Sequence, residues 1–248
     1  MHIAILGVIT LTVGMLIGTV GVGGILLIPA LGALAQLSTH TAMGTALFSF
    51  IFTGILGTIL YQRRGSIDWE VTAPLCAGSL LFGYFGALVN ANAPVRILNM
   101  LLAAVIMFVG IYTLRPHRTV CNEAAAVSKL SRRFRLLFIG VAVGFGSGLT
   151  GVGGPVLSVP LLIVFGFPPL TSIAASQVVQ ITAALSGSAG NLAHGFIDFT
   201  VVWWVTLFEL AGVVLGAGIA HASSSAFLKK IVSVVCIAVG GYILMRSL

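Results

Sequence analysis

The sequence predicts an all-α, polytopic integral membrane protein built from two homologous repeats. Three observations predict this fold class: 58% hydrophobic residues against 7% charged residues, long uninterrupted apolar runs, and a glycine-rich motif that occurs twice. Soluble domains carry about 25% charged residues, and about 20 apolar residues cross a hydrocarbon core of about 30 Å. The chain therefore has too little polar surface for a soluble globule, and its apolar runs have the length of transmembrane helices.

The first element is a glycine-broken apolar stretch over residues 1–37. No Lys or Arg precedes its apolar run and no small-residue cleavage site follows it, so we expect it to belong to the mature fold rather than to a signal peptide. Three uninterrupted apolar segments follow, at 41–61, 71–90 and 95–115. The second half repeats this order, with a broken stretch at 136–168 and segments at 171–192, 200–222 and 226–246.

The two halves match in register. The motif Gly18-Thr-Val-Gly21-Val-Gly23-Gly24 recurs 130 residues later as Gly148-Leu-Thr-Gly151-Val-Gly153-Gly154, and residues 65–69 match 195–199 at the same offset. Self-similarity at a fixed offset is the sequence signature of a duplicated architecture. We therefore predict a first transmembrane repeat over 1–115, a linker over 116–135 and a second transmembrane repeat over 136–248.

The linker and the broken stretches together predict the topology. The linker is rich in Lys and Arg, with Glu123 as its single acid, so it should be cytoplasmic. If each broken stretch forms a hairpin, each repeat crosses the membrane an odd number of times and the repeats are inverted. A single crossing by each stretch would make them parallel.

Charge and length favour the inverted arrangement. It leaves only Arg96 and Arg246 of the 12 Lys and Arg outside, whereas the parallel arrangement leaves three outside. The piece 136–150 is also shorter than the roughly 20 residues of a crossing helix. We therefore predict inverted repeats, each with a glycine-broken helical hairpin and three transmembrane helices.

The glycine breaks are the predicted substrate site. Glycine lets backbone N–H groups approach a ligand closely, and a helix that starts just after each break, at Ile25 and at Pro155, has unpaired N–H donors and a partial positive charge. Such a helix start favours an anion. In inverted repeats the two breaks would form one anion cradle from these glycines: Gly21, Gly23, Gly24, Gly151, Gly153 and Gly154. The alternative is close helix packing, the role that we predict for Gly212 and Gly216.

A small polar set follows each break and supplies further candidate substrate ligands. Its members are Thr45 and Ser49 in the first repeat, and Ser176, Gln177, Gln180 and Asn191 in the second. Hydroxyls and amides can donate hydrogen bonds to an oxyanion without adding a permanent charge. The alternative role is hydrogen bonding between helices, worth around 0.6 kcal/mol per contact.

Glu209 is the proton-coupling candidate because it lies near the middle of the apolar run 200–222. A charged carboxylate there costs about 2.5 to 3.5 kcal/mol, so protonation is the simplest compensation. A protonated structural carboxyl is the alternative. Asp68 and Asp198 occupy matching positions just before a helix, and we predict that they are N-caps rather than substrate ligands.

Several function classes are disfavoured. The net charge of +7 comes from basic residues beside apolar spans, so we expect a lipid bilayer and a small anion as partners, and no nucleic acid. We also expect no cofactor and no metal, since the His and Cys residues lack ligand spacing. Gly146-Ser147-Gly148 lacks the first glycine of a hydrolytic serine motif, so we predict that the protein is not an enzyme.

The combined motifs resemble those of the sulfite exporter TauE/SafE family, also described as toluene-sulfonate uptake permeases. The resemblance rests on residues 18–24 with Pro29, on 42–47 and on 61–69, and it covers essentially the whole chain. It implies a permease that moves sulfite, a sulfonate or another small sulfur-containing anion across the bacterial inner membrane. The alternatives are a non-transporting membrane subunit and a transporter or channel for a different small solute. The oligomeric state stays open.

Overall fold

The structure is a computed structural model, and it describes residues 2–21, 23–92 and 129–247, together with residues 94, 96, 100, 103, 104, 107 and 111. The predicted segment 95–115 lies largely outside the described residues, as does the part 116–128 of the predicted linker. The continuous described stretches contain nine helices and no strand, so the all-α prediction is confirmed. The helices are α1 His2–Val20, α2 Gly24–Leu34, α3 Thr39–Arg63, α4 Trp69–Asn92, α5 Lys129–Thr150, α6 Pro155–Val164, α7 Pro169–Ala193, α8 Phe199–Ala222 and α9 Ser225–Ser247.

Four helices are long and apolar enough to cross a membrane, which supports a multi-pass membrane protein. They are α3, α4, α8 and the part Leu130–Thr150 of α5. By contrast, α2 and α6 have 11 and 10 residues, or about 16 Å at 1.5 Å per residue. Each of these short helices therefore reaches only about half-way through a hydrocarbon core of about 30 Å.

The length argument for the second broken stretch is wrong. The helix that leads into the break does not start at residue 136: α5 begins at Lys129 and has 22 residues. The basic residues before position 136 form its first turns rather than an irregular linker. Long Lys and Arg side chains at a helix end can reach the membrane interface while their stems cover apolar surface, so charge alone did not mark the helix boundary.

The aspartate N-caps are confirmed. Asp198 Oδ1 accepts hydrogen bonds from the backbone N–H groups of Thr200, at 2.9 Å, and Val201, at 3.1 Å. Asp68 Oδ1 accepts in the same way from Glu70, at 2.9 Å, and from Val71. These bonds satisfy N–H groups that a helix start leaves unpaired, and they fix where α4 and α8 begin.

Glycine faces bring two helix pairs into close contact. The most extensive packing joins α1 to α8 and α4 to α5. A Cβ atom on Gly212 or Gly216 would collide with the backbone of α1, and one on Gly140 or Gly144 would collide with the backbone of α4. The predicted packing role of Gly212 and Gly216 is thus confirmed, since only glycine permits this backbone separation.

Side-chain contacts give the helix directions. Along α3 and α7, Gly57 lies against Gln177 whereas Leu47 lies against Gly187, so these two helices run antiparallel. The bounds of α7 are those of α3 shifted by 130 residues, and the same shift relates α8 to α4. Matched helices that run in opposite directions are what inverted repeats require. The duplication and its inversion stay predictions that these directions support.

Candidate functional site

The two glycine breaks interrupt the backbone close to the predicted positions. After the first break α2 begins at Gly24, one residue before the predicted start, and after the second break α6 begins at Pro155, as predicted. Gly21, Gly151 and Gly153 have φ values of 76°, 68° and 90°. These values lie in the left-handed region that non-glycine residues rarely adopt, so the breaks require glycine for conformational reasons alone.

Both breaks lie in contact at one cleft. A Cβ atom on Gly24 would collide with the backbone carbonyl of Val152, which belongs to the other break. The cleft between them is lined by Ile17, Gly21, Gly24, Phe50, Val152, Gly153, Pro155 and Gln180. The glycines that the sequence places in one cradle are therefore neighbours in space. Anion binding by that cradle stays a prediction.

The remaining cradle glycines pack against helices beside the cleft. A Cβ atom on Gly23 would lie 2.5 Å from the Val13 carbonyl oxygen, and one on Gly151 would lie 2.5 Å from the Met43 Cβ. Gly154 has more room, with its nearest neighbour, Val179 Cγ1, at 3.3 Å. Three of the six predicted glycines thus line the cleft, while the other three set the turn geometry and the close packing around it.

Phe50 fills the space between the breaks. Its side chain is buried, and Cβ atoms on Gly24 and Gly153 would lie 2.6 Å from its Cζ and 3.0 Å from its Cδ2. Between the described residues that line the cleft there is no room for a water molecule. The structure therefore shows a closed conformation, in which an aromatic ring stands between the two helix starts.

The two glutamines use their amide nitrogens to hold helices together. Gln180 Nε2 donates to the Phe50 carbonyl at 3.0 Å and to Thr53 Oγ1 at 2.7 Å, and Gln177 Nε2 donates to the Ile17 carbonyl at 3.1 Å. In this conformation both side chains make the interhelical bonds of the alternative interpretation. Of the two glutamines, only Gln180 lines the cleft.

The other polar candidates lie outside the cleft lining. Thr45 Oγ1 accepts from the backbone N–H of Asp198 at 3.0 Å. The hydroxyls of Ser49 and Ser176 donate to the carbonyls three residues earlier in their own helices. Ser176 is nevertheless close to the first break, because a Cβ atom on Gly21 would lie 3.2 Å from its Oγ. Asn191, also buried, lies near the end of α7.

Two residues that sequence reasoning did not assign a role complete the broken helix ends. The Tyr61 hydroxyl donates to the Gly18 carbonyl at 2.6 Å, and Asn90 Nδ2 donates to the Leu149 carbonyl. A helix that stops leaves its last carbonyls without partners, and inside a membrane no solvent satisfies them. The signal in the sequence was a polar group at the last position of each of two apolar segments of the first repeat, 41–61 and 71–90.

The Tyr61 bond gives a prediction about stability. Replacing Tyr61 with Phe keeps the ring but leaves the Gly18 carbonyl unsatisfied, which should lower the free energy of unfolding by about 1 to 3 kcal/mol. Thermal unfolding of the purified protein in detergent measures the change. Tyr84→Phe is the matched control, since Tyr84 is 40% exposed in the isolated chain. Equal melting temperatures for the two variants would contradict a role for Tyr61 in holding the end of α1.

Glu209 is completely buried in α8. Neither of its carboxyl oxygens has a hydrogen-bond partner among the described residues. Its backbone lies against α1, where a Cβ atom on Gly14 would be 2.7 Å from the Glu209 Cα. Ser49 of α3 is the polar side chain next to the Glu209 carboxyl group. The next residue of α3 is Phe50, whose ring closes the cleft.

Comparison with known proteins places the chain in a family. Residues 4–243 match the family described as sulfite exporter TauE/SafE. The probable membrane transporter protein YdhB of Bacillus subtilis (strain 168) is 27% identical over 221 residues, which cover 88% of this chain and 90% of that protein. The probable membrane transporter protein YunE of the same strain is 28% identical over 262 residues, covering 96% and 94%.

A third relative matches over part of its length. The probable membrane transporter protein MJ0441 of Methanocaldococcus jannaschii is 28% identical over 178 residues, covering 65% of this chain and 63% of that protein. No solved structure matches the chain. The family match extends across both glycine breaks and every described helix, which is the whole architecture built up above. The chain therefore belongs to the sulfite exporter TauE/SafE family.

Proposed function

We propose that the protein is a secondary transporter that moves a small sulfur-containing anion, such as sulfite or an organosulfonate, across the cytoplasmic membrane. The observation that carries the proposal is the contact between the two glycine breaks, each of which is followed directly by a helix start. Paired breaks in the two halves of a membrane protein are typical of transport sites. An unwound backbone at membrane depth also needs protein or a cavity around it.

The helix starts suit an anion because no side chain caps them. The N-cap residues of α2 and α6 are Gly23 and Gly154, and neither helix start has a side-chain cap bond. By contrast, α8 starts at an aspartate that satisfies its first N–H groups. No side-chain oxygen from the cap residue therefore competes with a ligand for the first N–H groups of these two helices. Two partial positive charges of about half a unit each then favour a negative ligand.

The sulfur chemistry of the substrate comes from the family, whose description names sulfite. The relatives above are named as membrane transporters without a substrate. The energetics suit export, because an anion that leaves a cell with a negative interior gains about 2.3 kcal/mol per charge per 100 mV. Uptake would require a coupled ion. In either direction Phe50 has to move aside, since its ring occupies the space between the helix starts.

A ligand screen tests the proposal. We expect sulfite, thiosulfate or an organosulfonate to raise the melting temperature of the purified protein, because a ligand at 100 times its Kd stabilises the folded state by about 2.7 kcal/mol. The panel is sulfite, sulfate, thiosulfate, taurine and sulfoacetate, with chloride at matched ionic strength as the control. Equal absence of response to all five would contradict the sulfur-anion substrate.

Flux through liposomes separates transport from binding alone. Purified protein in liposomes should release the anion that gave the largest thermal shift, and empty liposomes should retain it. Binding without flux would favour the alternative of a non-transporting membrane subunit. If the protein moves an unrelated small solute and sulfur anions do not raise its melting temperature, its substrate is that other solute.

A further inference from the structure

Glu209 differs from the other acidic residues that the structure describes. Asp68, Glu70 and Asp198 lie in loops or first turns, where they meet solvent or cap a helix. Glu209 is the eleventh residue of the 24-residue helix α8, and it has no exposed surface. Both carboxyl oxygens lack partners, so no hydrogen-bond network among the described residues accounts for its burial.

The neighbour on α3 has the wrong polarity for a carboxylate. The Ser49 hydroxyl donates its proton to the Ala46 carbonyl at 2.8 Å, so the side of Ser49 that faces α8 presents lone pairs. A hydroxyl used in this way can accept a hydrogen bond from a protonated carboxyl, but it cannot donate one to a charged carboxylate. The packing around Glu209 therefore suits its neutral, proton-carrying form.

No countercharge reaches Glu209 from the described parts of the helices packed against it. The titratable side chains on α1, α3 and α8 besides Glu209 are His2, His40, Tyr61, Arg63 and His221. His2 is twelve residues before Gly14, the α1 residue that touches Glu209. At opposite ends of α3, His40 is bonded to Asn90, and Tyr61 lies against His221. Among the described residues nothing therefore compensates a charge on Glu209, and an uncompensated carboxylate inside a membrane is costly.

We propose that Glu209 is the proton-binding site that couples anion movement through the cleft to protons. This inference rests on the proposed transport function and goes beyond it by naming the coupled ion and its site. The proton is held while the cleft is closed. When water reaches α8 on opening, the carboxyl O–H bond breaks, its electron pair stays on the carboxylate, and the proton leaves with that water.

Two contacts connect the proton site to the cleft. Ser49, the neighbour of the carboxyl group, directly precedes Phe50, whose ring closes the cleft. On α1, Gly14 touches the Glu209 backbone, and Ile17, one turn further, lines the cleft. Movement of either helix to admit an anion would therefore also open the surroundings of the carboxyl. A singly charged anion that moves with one proton crosses without net charge, which removes the electrical cost of uptake.

Infrared spectroscopy tests the proton site without any substrate. The chain has five carboxyl side chains in total, so a protonated carboxyl band can be assigned by substitution. We expect the wild type and Glu70→Gln to show this band at a pH where exposed carboxylates are ionised, and Glu209→Gln to lack it. Glu70→Gln is the matched control because Glu70 is exposed. Ser49→Ala should shift the band, since it removes the polar neighbour of the carboxyl group.

Liposomes that contain a pH-sensitive dye test the coupling, with thiosulfate as the probe because its charge is constant in the working pH range. Thiosulfate movement should change the internal pH for the wild type and for Glu70→Gln, and the change per thiosulfate should fall to zero for Glu209→Gln. A pH change that persists in Glu209→Gln, or a wild type without the band, would overturn the proposal. If no variant moves thiosulfate, the proposed substrate fails, and the infrared band alone decides the proton site.

Discussion

Replacing Gly24 with Ala should strongly weaken the stabilisation by sulfur anions and the anion flux. The added Cβ atom would lie 2.6 Å from Phe50 Cζ and would collide with the Val152 carbonyl, so it would occupy the contact between the two breaks. The φ angle of Gly24 is outside the left-handed region, so alanine is acceptable for the backbone and the change is purely steric. Overpacking of this kind costs about 1 to 3 kcal/mol, which corresponds to a factor of about 5 to 150 in an equilibrium constant.

The same helix provides the matched control for that substitution. Gly32 also lies in α2, but a Cβ atom there would have only ordinary contact, 3.7 Å from the Leu37 carbonyl. Gly32→Ala should therefore keep the ligand response and flux of the wild type, with slightly higher stability from its better helix propensity. Thermal unfolding of both variants separates misfolding from loss of binding. A folded Gly24→Ala protein with wild-type flux would show that the cradle is not the anion path.

The positions of the helices were predictable because each is fixed by local chemistry. Asp68 and Asp198 supply cap oxygens, and the predicted bounds of α3, α4, α7 and α8 differ from the observed bounds by at most two residues. The glycine breaks were predictable for a similar reason, since clustered glycines inside an apolar run have no role in a continuous helix. At the helix ends and at the glycine breaks, the conformation that the local sequence favours is the conformation observed in the structure.

The internal arrangement of the cleft was less predictable because it depends on which residues meet across helices. The sequence favours neither a ligand-binding role nor a helix-packing role for Gln177. The hydrogen bond from Gln177 to the Ile17 carbonyl depends on how α7 meets α1, and only the structure shows this. Nothing in the sequence distinguishes Phe50 from the other apolar residues of α3, yet its side chain lies between the two breaks. Likewise, nothing local to Tyr61 indicates that it reaches the end of α1.

The close packing of α1 against α8 has a physical basis of its own, which does not depend on the glycine breaks. Within a bilayer no hydrophobic driving force pushes helices together, so their association depends on van der Waals contact and on small residues that let backbones approach. The glycines that join α1 to α8 act in this way. Glu209 lies on the same α8 face, and α1 covers its backbone through Gly14.

Replacing Gly212 with Ala should therefore prevent stable folding or lower the melting temperature in detergent strongly. The Cβ atom would collide with the Leu11 carbonyl and lie 2.6 Å from the Met15 backbone nitrogen. Both contacts are to backbone atoms, so no side-chain rotation relieves them and α1 has to move away from α8. We expect a loss of about 1 to 3 kcal/mol from overpacking, with further loss where the helices separate.

Gly218→Ala, on the same helix, isolates this effect. A Cβ atom on Gly218 would have no neighbour within 4 Å, and alanine favours the helix by up to about 1 kcal/mol over glycine. This variant should therefore be as stable as the wild type or slightly more stable. If both variants unfold at the same temperature, the glycines of α8 do not hold α1 in place. The closed environment of Glu209 would then need another cause, because α1 covers its backbone through Gly14 on the same contact surface.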